Sequence, residues 1–464
     1  MRILRGLAIA AAIVAAAWWL LWLTPSRGGL GDDTIRFGFW GDYQEYRMWR
    51  RIVEAFNEAH PGVRVRCECI PGTGAYADKL AAWMASDTAP EVMLLQDEPF
   101  GRYLAAGAGR TPVVLDLTAM ISGQAYGKDL GVRGDDYWPT AWDSFGVRRP
   151  DGWHQYGLPV FGGNNLILYN RECFRRAGVE LPDRTHIDRD WTVDEFLDLC
   201  RRLTLRDPAD SAGRTVQWGF DRPRGWLYWL GFIYACDAQI LNDDRSEFVF
   251  TGPEALRALE LWDRLGREGL SPRGGELGQI SQNAAFLTGR VAMICQGPWV
   301  MPFLNAAGMD YGVMFPPTSP TGKRGTRVTW DCVSLAGRLA DDPARRRAAY
   351  EFARFVASPQ AAALIAESQR SIPAHRAGRE AFVAGSDPRR AAKFIDAMAF
   401  SRVQPITLQW EQMDNALNNA LGDLTAGAAT PEQTLAAMAK AMINRELFAV
   451  RWPDGRRVDL KEAP

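Results

Sequence analysis

Polar side chains stand close to tryptophan or tyrosine at several points of this chain: Trp40 with Asp42 and Tyr43, Trp330 with Asp331, and the run Trp226, Tyr228, Trp229. Gln96, Asp97 and Glu98 form a further polar group, Asn164 and Asn165 are paired carboxamides, and Trp299 and Trp410 stand alone. Aromatic faces stack on apolar ring surfaces, while carboxylates and carboxamides make paired hydrogen bonds to hydroxyl edges. Tryptophan is bulky and costly to expose, so with 18 in the chain some fill cores and several are expected to line a site.

Asp97, Glu98 and Asp331 could also supply the two positioned acids that cut a glycosidic bond. Nothing else supports catalysis: there is no nucleophile elbow, no HExxH and no phosphate-cradling glycine loop, so an enzyme is not expected. Cys67 and Cys69 invite a metal reading, but they alternate with Arg66 and Glu68 like two residues of one strand face, and His60, His154, His186 and His375 are scattered. No metal or other cofactor is expected.

At 464 residues the chain exceeds the roughly 250–300 residues at which a single core stops growing, so two domains are expected. Hydrophobic residues at 47% and charged residues at 23% fit a soluble globular protein. A net charge of −1, with no cluster of Lys and Arg, argues against nucleic acid as a partner. Arg2 and Arg5 precede an apolar run from Leu7 to Leu23 that ends at Pro25, Ser26, Arg27 and Gly28, the pattern of an export signal or a membrane anchor over residues 1–28. Trp18, Trp19 and Trp22 sit at its outer end, where indole rings favour a membrane interface.

The elements that must position the polar and aromatic groups follow from periodicity. Ile35, Phe37 and Phe39 alternate with Arg36 and Gly38 as in a strand that ends at Trp40. Tyr46, Trp49, Val53 and Phe56 recur at helical spacing until His60-Pro61-Gly62, and Val63, Val65, Cys67 and Cys69 then mark a second strand. A helix carrying Leu80, Trp83 and Met84 leads to the continuous apolar run Val92 to Leu95, as expected of a buried parallel strand. Trp40 and Gln96 thus close strands, and ligands of open α/β sheets bind beyond the carboxyl ends of strands. Thr192 and Glu195 form a capping box for a helix bearing Phe196, Leu199 and Leu203, Val291 to Ile294 reads as a short strand, and the chain beyond Arg345 reads mainly as helices.

Several spaced segments together resemble the family 1 extracellular solute-binding proteins, a group that includes maltodextrin-binding protein. They are the strand ending in Trp40, Phe56 to Val63, Ala89-Pro90-Glu91-Val92, Tyr156-Gly157-Leu158-Pro159, Leu168-Tyr169-Asn170-Arg171, Trp191 to Phe196, Phe286 to Met293 with Gly297-Pro298-Trp299, Phe352 to Ser358, and Ser371-Ile372-Pro373-Ala374. The resemblance runs over roughly residues 34 to 450. Glu91 departs from it where the family commonly has Asp, and no lipobox Cys follows the N-terminal run.

The resemblance implies an α/β fold of two lobes of the type II periplasmic-binding kind, each a mainly parallel sheet flanked by helices. The first lobe is expected at 34–164 and 315–338, the second at 165–314 and 339–464, with a ligand between them. It implies capture of a mono- or oligosaccharide outside the cytoplasm for the permease of an ABC importer. Trp40, Trp299 and Trp410 are implied as aromatic platforms and Trp226, Tyr228 and Trp229 as an aromatic subsite. Asp42, Tyr43, Gln96, Asp97, Glu98, Asn164, Asn165, Trp330 and Asp331 are the expected partners around them. The same fold could take a polyamine or a phosphorylated polyol, or serve a sensor instead of a transporter.

Overall fold

In a computed structural model of the protein, residues 34–105, 113–188, 190–211, 213–223, 225–273, 276–385 and 387–459 are described. The N-terminal segment expected to be a signal or anchor lies outside them. Among the described residues, no helix is long and apolar enough to cross a membrane.

The chain opens with β1 (Thr34–Trp40), α1 (Tyr43–Ala59), β2 (Arg64–Ile70), α2 (Thr73–Ala85) and β3 (Val92–Gln96). β1 lies between β2 and β3 and pairs with both in parallel, as strand–helix–strand crossovers require. α1 begins in a reciprocal capping box between Asp42 and Glu45 and buries Met48, Trp49, Ile52, Val53 and Phe56 against the sheet. β4 (Leu158–Asn164) is buried along its whole length, and one residue later β5 (Leu166–Asn170) starts in a different sheet. Asn165 is therefore the first crossing between lobes.

In the second lobe β5 is the middle of three strands, flanked by β6 (Met293–Gln296) and β7 (Tyr311–Met314), both antiparallel to it. The expectation of a mainly parallel sheet in each lobe thus fits β1, β2 and β3 but not this trio. Around it lie α3 (Val193–Leu203), α4 (Trp226–Ala235) and α5 (Pro253–Arg267). The chain then returns on β8 (Thr326–Leu335), which inserts antiparallel between β3 and β4. β9 (Ile372–Pro373) and β10 (Ser401–Val403) complete the first sheet, in the order β9-β4-β8-β3-β1-β2 with β10 on β8.

The helices α6 (Pro343–Val356) and α7 (Pro359–Glu367) pack on the first sheet, since Tyr350, Phe352, Phe355 and Ile365 join the hydrophobic cluster of Phe37 and Phe56. So do Phe394 and Ile395. The helices α6 and α7, assigned from sequence to the second lobe, thus pack on the first, while the stretch at 388–400 also touches the second, Arg390 donating to Tyr311 O of β7 at 3.0 Å. After a third crossing at 404–409, α8 (Trp410–Thr425) and α9 (Pro431–Asn444) join the second core, as do Leu447, Phe448 and Val450.

Glu91 ties three segments of the first lobe together. Its carboxylate, 1% exposed, accepts from the backbone N–H of Arg36 at 2.8 Å and pairs with the guanidinium groups of Arg36 (3.3 Å), Arg345 (3.1 Å) and Arg338. Burial acts to raise its pKa, but the Arg36 N–H and the Arg338 guanidinium hold it below the usual carboxylate range. Removing one partner of a buried pair leaves the others uncompensated, at about 3–5 kcal/mol. Glu91→Ala is expected to lose stability in that range in urea unfolding at pH 7. A loss below about 1 kcal/mol would show that the arginines find water instead.

Candidate ligand cleft between the lobes

The floor of the cleft is built where β3 and β8 meet. Asp97, just past β3, is fully buried and accepts from Thr329 Oγ1 (2.9 Å), the backbone N–H of Trp330 (2.9 Å) and Gln404 Nε2 (2.6 Å). All its capacity facing β8 is used, so it holds the floor together and has no geometry for a general base. Glu98 beside it accepts from Arg327. Asp331 lies opposite Gln96 in the β3–β8 register, and its partly exposed carboxyl makes no hydrogen bond or ion pair with another described residue.

On the rim, Trp40 is 7% exposed and packs its ring 5.4 Å from that of Tyr76. Asp42 caps α1, accepting from the N–H groups of Gln44 (2.8 Å) and Glu45 (3.0 Å), and pairs with Arg370 at 2.9 Å. Arg370 also reaches Glu45, at 3.1 Å. Tyr43, the next residue, is 71% exposed.

The facing wall belongs to the second lobe. Tyr228 on α4 and Trp299 after β6 meet edge to face, with ring centroids 6.4 Å apart. Trp299 Nε1 donates to Gln296 Oε1 at 3.0 Å, and Gln296 Nε2 donates to Gln282 at 2.9 Å, which fixes the indole. A Cβ at Gly163 would stand 2.7 Å from Pro298 and 3.2 Å from the Trp299 ring, so β4 can pass this wall only as glycine. The Arg327 guanidinium lies 5.4 Å above the Tyr228 ring and joins floor to wall. Deeper in the lobe Trp226 and Trp410 pack together at 5.7 Å, and Trp226 Nε1 donates to Asp414 at 2.8 Å.

The residues singled out from sequence therefore divide. Tyr228, Trp299, Gln96, Glu98 and Asp331 are brought together around the cleft. Trp229 instead fills the second core, stacked on Phe232 at 4.2 Å with its N–H on Ala258 O, and Trp330 fills the first with its N–H on Thr140 Oγ1. Trp226 and Trp410 form a mostly buried pair behind the wall. Asn164 is also buried, and its Nδ2 donates to Phe394 O (2.8 Å) and Ser401 Oγ (3.1 Å), which pins the first crossing. Asn165 is buried with neither side-chain polar atom partnered. Sequence reasoning missed Arg327, Glu45, Arg370 and Gln404. Arg327 alone left a signal, because it alternates with Thr329 and Asp331 along β8.

The electrostatics follow from burial. Desolvation pushes the Arg327 pKa down to about 10, against the pull of Asp97, Asp331 and Asp414. Asp331 is driven well above the carboxylate range, by desolvation first and then by the charges of Asp97 and Glu45. Asp414 is raised by desolvation as well. A carboxyl that keeps its proton can donate to a hydroxyl as well as accept from one. Among the described residues no group of three or more His, Cys, Asp or Glu could hold a metal ion.

Because the native pKa of Asp331 exceeds its unfolded value of about 3.9, the unfolded chain releases that proton first as pH rises. The stability it contributes is complete below about pH 4 and is lost as pH climbs through the native value. Asp331→Asn cannot ionise. Its melting temperature is expected to exceed that of the parent by a margin that widens from pH 4 to pH 8; a margin independent of pH would show that the Asp331 charge carries no penalty.

With this geometry in view, comparison with known proteins is informative. A binding protein of Brucella abortus (strain 2308) is 24% identical over 298 residues, 62% of this chain and 68% of its own. The galactooligosaccharide-binding protein of Bacillus subtilis (strain 168) is 23% identical over 295 residues, 60% of this chain and 63% of its own. Among solved structures, an ABC substrate-binding protein of Listeria monocytogenes in complex with cycloalternan shares the fold at a TM-score of 0.75 and 21% identity, over 89% of this chain and 99% of that one. The family model described as bacterial extracellular solute-binding protein matches residues 51–380. The chain belongs to that family of extracytoplasmic binding proteins.

Proposed function

We propose that the protein captures a mono- or oligosaccharide between its two lobes and hands it to the permease of an ABC importer. The observation that carries this reading is the Tyr228–Trp299 pair joined through Arg327 to Glu98, with the unpartnered Asp331 on the same strand as Arg327: aromatic faces and hydroxyl-binding groups in one place. Trp299 and Tyr228 stack on the apolar face of a sugar ring, while Asp331, Glu98 and Gln96 take its hydroxyls. Trp40, Asp42 and Tyr43 form the rim that a longer chain passes.

The named ligands of relatives point the same way: a galactooligosaccharide for the Bacillus protein and cycloalternan for the Listeria one. The apolar run Leu7 to Leu23 supports export, by a signal that is removed or an anchor that tethers the lobes beside their permease.

A ligand that binds only the folded state must raise its stability. Residues 29–464 are therefore screened for thermal shift and tryptophan fluorescence against sugars, polyols, sugar phosphates and polyamines. A shift with one class of sugar is the expected result. A silent sugar series with a polyamine or sugar-phosphate response would replace the substrate. For the sugar that binds, Trp299→Ala is expected to raise Kd more than tenfold, a loss above about 1.4 kcal/mol from stacking and burial; an unchanged Kd in titration calorimetry would remove Trp299 from the site.

A further inference from the structure

A second cavity opens in the second lobe directly beside the aromatic wall. Its volume is about 590 Å³, within the range of about 300–1,000 Å³ typical of small-molecule sites. Arg222, Trp262, Arg273, Gln282 and Asn418 line it. Two of these are bonded to the groups that carry the aromatic rings. Gln282 accepts from Gln296, which holds the Trp299 indole, and also donates to Asp221 O. Asn418 Oδ1 accepts from the backbone N–H of Trp226 at 3.4 Å, and its Nδ2 donates to Asp414, the partner of the Trp226 indole. The cavity and the aromatic wall are thus two sides of the same hydrogen-bonded shell.

At its base Arg222 is only 7% exposed. One guanidinium nitrogen donates to Trp262 O at 3.0 Å and the group lies 5.3 Å above the Trp262 ring, but Nε has no partner and no described carboxylate pairs with it. The charges of Asp221, on the cavity wall, and then of Asp263 act on it, but neither makes an ion pair with it, and Asp263 is already paired with Arg267. Arg273, exposed at the mouth, adds a second positive charge. A guanidinium sunk this far with no carboxylate in direct contact is costly, and an anion arriving from solution offsets that cost. Planar, bidentate recognition of a carboxylate is what arginine does best.

We infer that this cavity is a subsite for a carboxylate-bearing sugar unit, so that the ligand is an oligosaccharide containing a uronic acid. The inference rests on the saccharide reading and narrows it. Arg222 fixes the carboxylate at the base of the cavity, and Arg273 at its mouth draws it in.

The test compares α-1,4-linked trigalacturonate with the matching neutral galactotriose by titration calorimetry on residues 29–464. The expected result is at least tenfold tighter binding of the uronate, a preference that weakens with added salt and shrinks at least tenfold in Arg222→Gln. Arg273→Gln, at the exposed mouth, serves as the second variant should the buried substitution fail to fold. A preference that both variants leave intact, or binding of neutral sugars without any preference for the uronate, overturns this inference alone. A screen in which no saccharide binds overturns the reading beneath it.

Discussion

Arg327 stands where all three passages between the lobes meet. It lies on β8, the second passage; its carbonyl accepts from the N–H of Asn165 in the first at 3.0 Å, and its Nε donates to Gln404 in the third at 3.1 Å. The remaining contacts reach the floor through Glu98 and the wall through the Tyr228 ring. A fully buried guanidinium tolerates this position only because carboxylates and carbonyls surround it. The cleft exists because that one charge is satisfied from both sides at once.

Much of the fold was legible because its elements carry strong local patterns. The alternation in β1, the 3.6-residue spacing in α1 and the apolar run of β3 each state which face is buried, and the capping box at Thr192 and Glu195 places the start of α3. What periodicity does not state is what a buried face meets. The apolar stripe of α6 would read the same on either sheet, so α6 and α7 were expected in the second lobe although they pack on the first. Strand direction in the second sheet was equally hidden, since Leu166 to Asn170 is buried on both faces whichever way its neighbours run.

The site was legible in its residue types more than in its geometry. Trp226, Trp229, Trp299, Trp330 and Trp410 share a chemistry, and sequence alone does not reveal where each indole N–H finds its acceptor. Trp229 and Trp330 find theirs on Ala258 and Thr140 inside the cores, whereas the N–H of Trp299 is met by Gln296 at the cleft itself. The partners of the cations could not be read: Arg370 reaches Asp42 and Glu45, and Arg327 reaches Glu98, across most of the length of the first lobe in sequence.

The division of labour between the lobes explains why such a site needs two of them. The carboxyl groups of the floor come from the first lobe and the Tyr228–Trp299 pair from the second, so the ligand proposed above would draw its hydroxyl partners and its main stacking faces from different lobes. On the proposed reading, closing one lobe on the other would remove water from Asp331 and favour its protonated form further, unless a ligand hydroxyl took the water's place. A hydroxyl that both donates and accepts can satisfy that carboxyl in either protonation state, while an apolar group can satisfy neither. Closure is therefore favourable only around a ligand with polar edges, and the desolvated floor makes the cleft selective before any contact on the rim is counted.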